Sequence, residues 1–218
     1  MPLTAHPAIT DVQALYAASG LVPDATAAPF NLVPWAAHLA TAIAAFATRT
    51  GRRYPAVQGS RSYDPPINQR GILALGQDLA SDGGGSIVVT SRGITQVSGI
   101  DYYLGPPNAD NEGKPWLWLE LPSNLGFPMT PVYRKSIVIT GPWGASAYIP
   151  DDVWEAERQY AAALCAVEIG LTISSGLYKV EDVTYGSGDL VPLSAQANVW
   201  RCMFETTVKN RLRVANWI

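Results

Sequence analysis

Along the first fifty residues, apolar positions recur every three or four residues. In ITDVQALYAAS, Val12, Leu15 and Tyr16 share a face and Thr10 or Asp11 offers a cap, so the spacing predicts a short helix over Ile9 to Ser19. A proline-rich loop follows. Trp35, Leu39, Ala42, Ile43 and Phe46 then form a second stripe, which predicts a helix from about Pro34 to Thr50. Pro34 suits its first turn, while Gly51 with Arg49, Arg52 and Arg53 suits its end, where cations meet the negative end of the dipole.

The pattern changes in the middle. Tyr54 to Pro66 is rich in turn formers, and from about Gly71 to Gly141 the chain reads as strands: Ile72–Asp78, Ser86–Ser91, Asp101–Gly105, Trp116–Glu120 and Ser136–Thr140. The signals are β-branched and aromatic content, partial alternation, and punctuation by DGGG, GPPN and NEGKP. WLWLEL at Trp116 sets two tryptophans on one face and three leucines on the other, so both faces of that strand call for cover.

Helical spacing returns from Pro150 to about Ser174, with Val153, Ala156, Tyr160, Ala163, Leu164, Val167 and Leu171 along one face. A short strand at Lys179–Tyr185 and a GSGD turn precede a last helix, from about Leu193 to Ala215. Its stripe is Leu193, Ala197, Trp200, Phe204, Val208 and Leu212. The expected fold is α+β: a mainly helical bundle with a β-rich insertion between its N-terminal and C-terminal helices, as one structural unit. Residues 1–70 supply the first helices and a loop, 71–141 the insertion, and 142–218 the helices that complete the bundle.

Composition adds a partner surface to this picture. Hydrophobic residues make up 48% of the 218 and charged residues only 15%, with seven Trp and ten Tyr. So little charge and so many amphipathic rings suit either one packed core or burial against other subunits. The net charge of −3 argues against general nucleic-acid or membrane-surface binding. Cys165 and Cys202 lack metal spacing and read as buried free thiols from a reducing, cytoplasmic setting. The start, MPLTAHPAITD, lacks a basic, then apolar, leader. The alanine-rich stretch ending at Thr48 is too short to span a bilayer, so no membrane segment is expected.

Catalytic readings fare poorly. Asp151, Asp152, Glu155 and Glu157 cluster within two helical turns, yet acids just after Pro150 serve the start of a helix, and no histidine beside them completes a metal shell. DGGGS lacks a phosphate-loop pattern and does not lead into a helix. Gly141-Pro142-Trp143-Gly144 has no serine at an elbow position, since Ser146 lies outside a GxSxG frame, and His6 and His38 lie elsewhere. A catalytic site, a metal site and a cofactor are all expected to be absent.

Two other clusters stay open. Arg49, Arg52 and Arg53, and separately Arg201, Lys209, Arg211 and Arg213, could meet nucleic-acid phosphate, an acidic protein surface, or only solvent at helix ends. Tyr102, Tyr103, Trp116 and Trp118 could line a sugar- or peptide-binding platform, fill a β core, or form a subunit interface.

Four segments taken in order carry a resemblance. They are the Asp11-Val12 helix start, the alanine-rich helix ending Thr50-Gly51-Arg52-Arg53-Tyr54, ITGPWG at Ile139 followed by IPDDV at Ile149 and a long helix, and VEDVTYG at Val180 before a last helix with Arg211. In this order the chain resembles the tailed-bacteriophage head–tail adaptor family, the head-completion or head–tail connector proteins, over about Ile9 to Arg213. It departs from the family in a long middle block, and in Glu181-Asp182 where glycine-aspartate is usual.

The resemblance implies a structural virion protein of the head–tail neck, assembled in the host cytoplasm. It implies a homo-oligomeric ring, commonly of twelve copies, that joins the portal protein to a downstream neck or tail protein. DNA would pass through the lumen without specific binding. Portal contact would fall on the C-terminal segment, with Trp200, Arg201, Lys209, Arg211 and Arg213 as candidates, and Trp116 and Trp118 are candidate ring-interface anchors. Gly141, Trp143 and Gly144 are expected to form a turn that plugs the seam between β block and helices, with Pro150 and Asp151 starting the next helix. The alternatives are a tail-associated carbohydrate- or peptide-binding module and a hydrolase with an unrecognised site.

Overall fold

The structure is a computed structural model. It describes residues 3–20, 22, 24–26, 30–66, 71–82, 85–121, 134–174, 179–180, 183–184 and 190–212. The fold is mixed α+β and the chain divides into two compact units, one built on Gly51–Ile149 and the other on Ala5–Thr50 and Pro150–Arg213.

The helical unit holds α1 (Ile9–Ser19), α2 (Trp35–Thr50), α3 (Asp151–Ser174) and α4 (Leu190–Arg211), with a 3-10 turn at Phe30–Leu32. The cap of α1 differs from expectation. Ala8 is the N-cap residue, and Asp11 sits three positions on, its carboxylate accepting the Ala8 N–H at 2.7 Å. Gly20 closes the helix in the left-handed region at φ 69°, where a side chain is strained. A small strand pair, β8 (Lys179–Val180) with β9 (Val183–Thr184), stands where one strand was expected.

Tyr16 centres the helical core. Its ring lies edge-on to Trp35 at 5.5 Å and to Trp200 at 5.2 Å, and its hydroxyl donates to the Ala162 carbonyl of α3. Ala161, Ala162, Ala163 and Cys165 are all fully buried, small side chains that let neighbouring helices approach α3 closely. Lower down, Phe204 of α4 stacks on Tyr160 at 4.1 Å and meets Phe46 edge-on at 6.0 Å.

The β unit holds β1 (Val57–Tyr63), β2 (Ile72–Leu79), β3 (Val88–Ser91), β4 (Ile94–Thr95), β5 (Tyr103–Gly105), β6 (Trp116–Glu120) and β7 (Ile137–Trp143). Every pairing between these strands is antiparallel, in the order β4-β3-β7-β2-β6-β5, with β1 on the other side of β7. Two expectations need correction. The strand-rich part begins at Val57 rather than 71: VQGSRSY carries almost no apolar signal because the strand is mostly exposed, and residue-by-residue pairing with β7 makes it a strand. And β7 does not stop at Thr140. Gly141, Pro142 and Trp143 continue it, opposite Gly59, Gln58 and Val57. Leu75, Leu79, Val89, Leu119, Ile137 and Ile139 fill the core of this unit.

Candidate interaction surface

The segment that sequence reading took for a turn is held inside the β unit. Trp143 is 5% exposed, donates its indole N–H to the Gly59 carbonyl at 3.0 Å, and carries the Arg61 guanidinium over its ring at 4.5 Å. It therefore belongs to this sheet's own core, as a strand residue rather than part of a turn. The reversal falls at Gly144, whose N–H bonds the Asp78 carbonyl at 3.0 Å. A side chain there would stand 2.5 Å from the Ala56 Cα.

The next residues are stitched to the same unit. Ala145 N–H bonds the Arg53 carbonyl at 2.9 Å, and the Ser146 carbonyl accepts from Ala56 N–H at 2.8 Å. Asp82 takes the Ser146 hydroxyl and the Ala147 N–H, the latter at 2.7 Å. The DGGG motif gave no hint of that role, because a carboxylate reaching a loop sixty residues away leaves no local pattern. Pro150 then offers its carbonyl to the N–H groups of Val153 and Trp154, both at 3.0 Å, and Asp151 is the first, exposed residue of α3. Asp152 forms a two-pronged ion pair with Arg211 of α4, at 2.7 and 2.9 Å.

Between α3 and α4 runs an open apolar groove in two lengths, of about 570 and 450 Å³. Small side chains create it: Ala156, Ala163, Ala166 and Gly170 on α3 face Ala197 and Asn198 on α4 and leave the space between unfilled. Val199 and Met203 border the lower length and are 50% and 47% exposed. Val167 and Leu171 border the upper one at 54% and 60%, although the helical stripe placed both on a buried face. The sequence shows that they share a face; nothing in it shows that the face lacks cover. Cys202 is also exposed in the groove, a correction to its expected burial, because two residues beyond buried Trp200 the helix has turned it outward.

The lower length is polar at one end. Asp152, Glu155 and Gln159 line it, and Gln159 is 6% exposed. The Gln159 amide nitrogen donates to Glu155 Oε1 at 2.7 Å, and its carbonyl oxygen has no partner among the described residues. Glu155 also pairs with Arg158 at 2.6 Å. The opposite length is bordered by Arg201.

The expected contact residues separate on this framework. Trp200 is 3% exposed and belongs to the helical core, so it is not a surface contact; the stripe that buries it also carries it. Arg201 and Lys209 are exposed, Arg211 is engaged with Asp152, and Arg213 lies outside the described residues. Trp116 and Trp118 are half-buried. Trp116 packs on the β core, and Trp118 lies directly on Gly105, where any side chain would collide with the indole. Tyr102 is buried while its neighbour Tyr103 is exposed, so these rings do not form one open row.

Among the described residues two acids are buried, Asp78 in the β unit and Glu157 on α3. Glu157 is 2% exposed and accepts a hydrogen bond from His6 Nδ1 at 2.7 Å. Burial pushes its carboxyl above the usual range, and the bond to His6 only partly offsets that. Cys165, fully buried, has its thiol pushed up to about 12 by the same cause, so it is inert.

No protein-family model and no curated protein sequence matches the chain. Among solved structures it is similar to a chain in the neck of the native gene transfer agent (GTA) particle, computed with C12 symmetry. That match has 15% identity and a TM-score of 0.41, and covers 92% of this chain and 94% of that one. It is also similar to a chain in the neck of the empty particle, computed with C6 symmetry, at 16% identity and a TM-score of 0.44, covering 92% and 93%. Superpositions of that quality leave function to be argued from the chain itself.

Proposed function

We propose that the chain is a structural neck protein of a phage-like particle, an adaptor that closes into a ring beneath the portal, links capsid to tail and continues the DNA channel. The observation that carries this is an apolar face along α3 and α4 that is uncovered among the described residues. A soluble monomer seldom leaves such a contiguous face bare, and in a permanent assembly a neighbouring subunit covers it. The ordered segments around Asp11, Thr50, Ile139 and Val180 support the same reading through their resemblance to head–tail adaptors. In that reading the four helices act as a bundle carrying the β unit as an insertion.

Function is then assembly rather than turnover. A ring subunit presents two different patches whose repeated rotation closes, and twelve copies is the number the resemblance implies. Portal contact falls on exposed Lys209, toward the end of α4, rather than on buried Trp200. The low net charge suits a lumen that lets DNA slide past rather than gripping its phosphates. Negative-stain imaging of the purified protein, alone and with its portal, tests the proposal. Rings are expected in at least one sample, and their absence from both would refute it.

A further inference from the structure

The β unit carries an exposed apolar turn, a candidate knob for the groove. Between β3 and β4 the chain turns at Arg92-Gly93, with Arg92 exposed at φ 50°, and the next seven residues, ITQVSGI, contain no charge. Ile94, Val97 and Ile100 are 69%, 54% and 64% exposed. The turn is nevertheless closed by its own hydrogen bonds. Gln96 N–H bonds the Val89 carbonyl at 2.8 Å, Asp101 N–H bonds the Val97 carbonyl at 2.8 Å, Val97 N–H bonds the Asp101 carboxylate at 2.8 Å, and Gly99 N–H bonds the Tyr102 carbonyl at 2.8 Å. A preformed apolar knob of this kind loses little conformational entropy on docking.

Resting on the ring reading above, we propose that the knob of one copy seats in the α3–α4 groove of the next copy. Ile94, Val97 and Ile100 meet the apolar walls around Val199 and Met203. Charge fixes the polarity. At the Asp152 end, Asp152 and Glu155 are already paired with Arg211 and Arg158 of their own chain, so that end is close to neutral and the other end sets the orientation. At the other end the groove has Arg201, and the far side of the knob has Asp101. Knob and groove are different surfaces on one chain, as a head-to-tail contact requires, whereas a two-fold dimer would pair like with like. The tryptophans of β6 then serve their own sheet, and the apolar anchors of the interface are aliphatic.

Cys202, exposed in the groove, supplies the test. Ile94→Cys and Val97→Cys are each introduced into the full-length chain, imaged, oxidised and run on a non-reducing denaturing gel. A chain with one reactive thiol can form only dimers. One with thiols on both knob and groove gives a ladder of many rungs. The expected result is a ladder from the knob variants, and no species above dimer from the parent chain or from the same variants carrying Cys202→Ser. Met203→Glu is expected to abolish rings while leaving the helical circular-dichroism signal of the monomer unchanged. Rings that form without a ladder from either position, and that survive Met203→Glu, overturn the knob-in-groove contact while sparing the adaptor reading. A ladder reaching only the portal protein overturns it likewise. Absence of rings in every sample, with and without portal, defeats both.

Discussion

Truncating Trp200 to alanine is expected to cost the helical unit about 3–5 kcal/mol, the range for removing a buried large aromatic. The geometry places it in the upper half. The indole is 3% exposed and edge-on to Tyr16 at 5.2 Å, and an edge-to-face pair adds about 0.5–1.5 kcal/mol beyond burial. Tyr16 cannot swing into the vacated space, because its hydroxyl is tied to the Ala162 carbonyl and its ring also rests on Trp35. The site thus collapses poorly. Circular dichroism at 222 nm reads the helical transition. For a chain of this size 1 kcal/mol corresponds to about 2–4 °C, so a loss of about 4 kcal/mol lowers the midpoint by about 8–16 °C. Trp200→Phe keeps a ring against Tyr16 and is expected to recover about half. A loss under about 1 kcal/mol combined with lost binding to a portal ring would refute the reasoning, since it would mark an exposed contact rather than a core residue.

Three further outcomes test other parts of the structure. Gly144→Ala is expected to destabilise the β unit by about 1–3 kcal/mol, because the new Cβ would stand 2.5 Å from the Ala56 backbone, which cannot move aside as a side-chain tip can; urea denaturation of the variant checks this. The raised carboxyl of Glu157 contributes stability below the ordinary value of 4.5 that is lost as pH rises through the higher folded value. The parent chain should therefore lose stability relative to Glu157→Gln across that window, and parallel pH profiles of the two would contradict the buried-acid assignment. Arg211→Ala removes a half-exposed ion pair to Asp152 and is expected to cost no more than about 1 kcal/mol, with the difference from the parent shrinking as salt is raised in the same titrations.

Local rules recovered the helices because each carries its own information. The Val12, Leu15, Tyr16 stripe placed α1 at its observed ends, and WLWLE did the same for β6. They failed where a partner strand decides. Gly141-Pro142-Trp143 looks like a chain reversal, since glycine and proline punctuate most strands. Here β1 holds it extended, and Gly141 is small because Leu79 Cδ1 lies 2.9 Å from where its Cβ would be. The same partnership hid β1, whose polar sequence says little until β7 is set beside it. The reversal itself needed Asp82, too distant in sequence to be paired with Ser146 by any local pattern.

The candidate surface was hidden for a different reason. A helical stripe reports which residues share a face, and it is silent on how far a neighbouring helix covers that face. On α3 the stripe runs on to Val167 and Leu171, while the small side chains of Ala163, Ala166, Ala197 and Gly170 leave the space between α3 and α4 unfilled. Small residues in a stripe can mean close contact, as at Ala161 and Ala162 under Tyr16, or an unfilled groove, as along this length. The sequence is the same kind of alanine run in both places, and only the position of α4 tells them apart. A face that is apolar by sequence and bare among the described residues is where the proposed neighbouring subunit would sit. That is why the stripe's overhang, more than any charged or aromatic cluster, points to assembly.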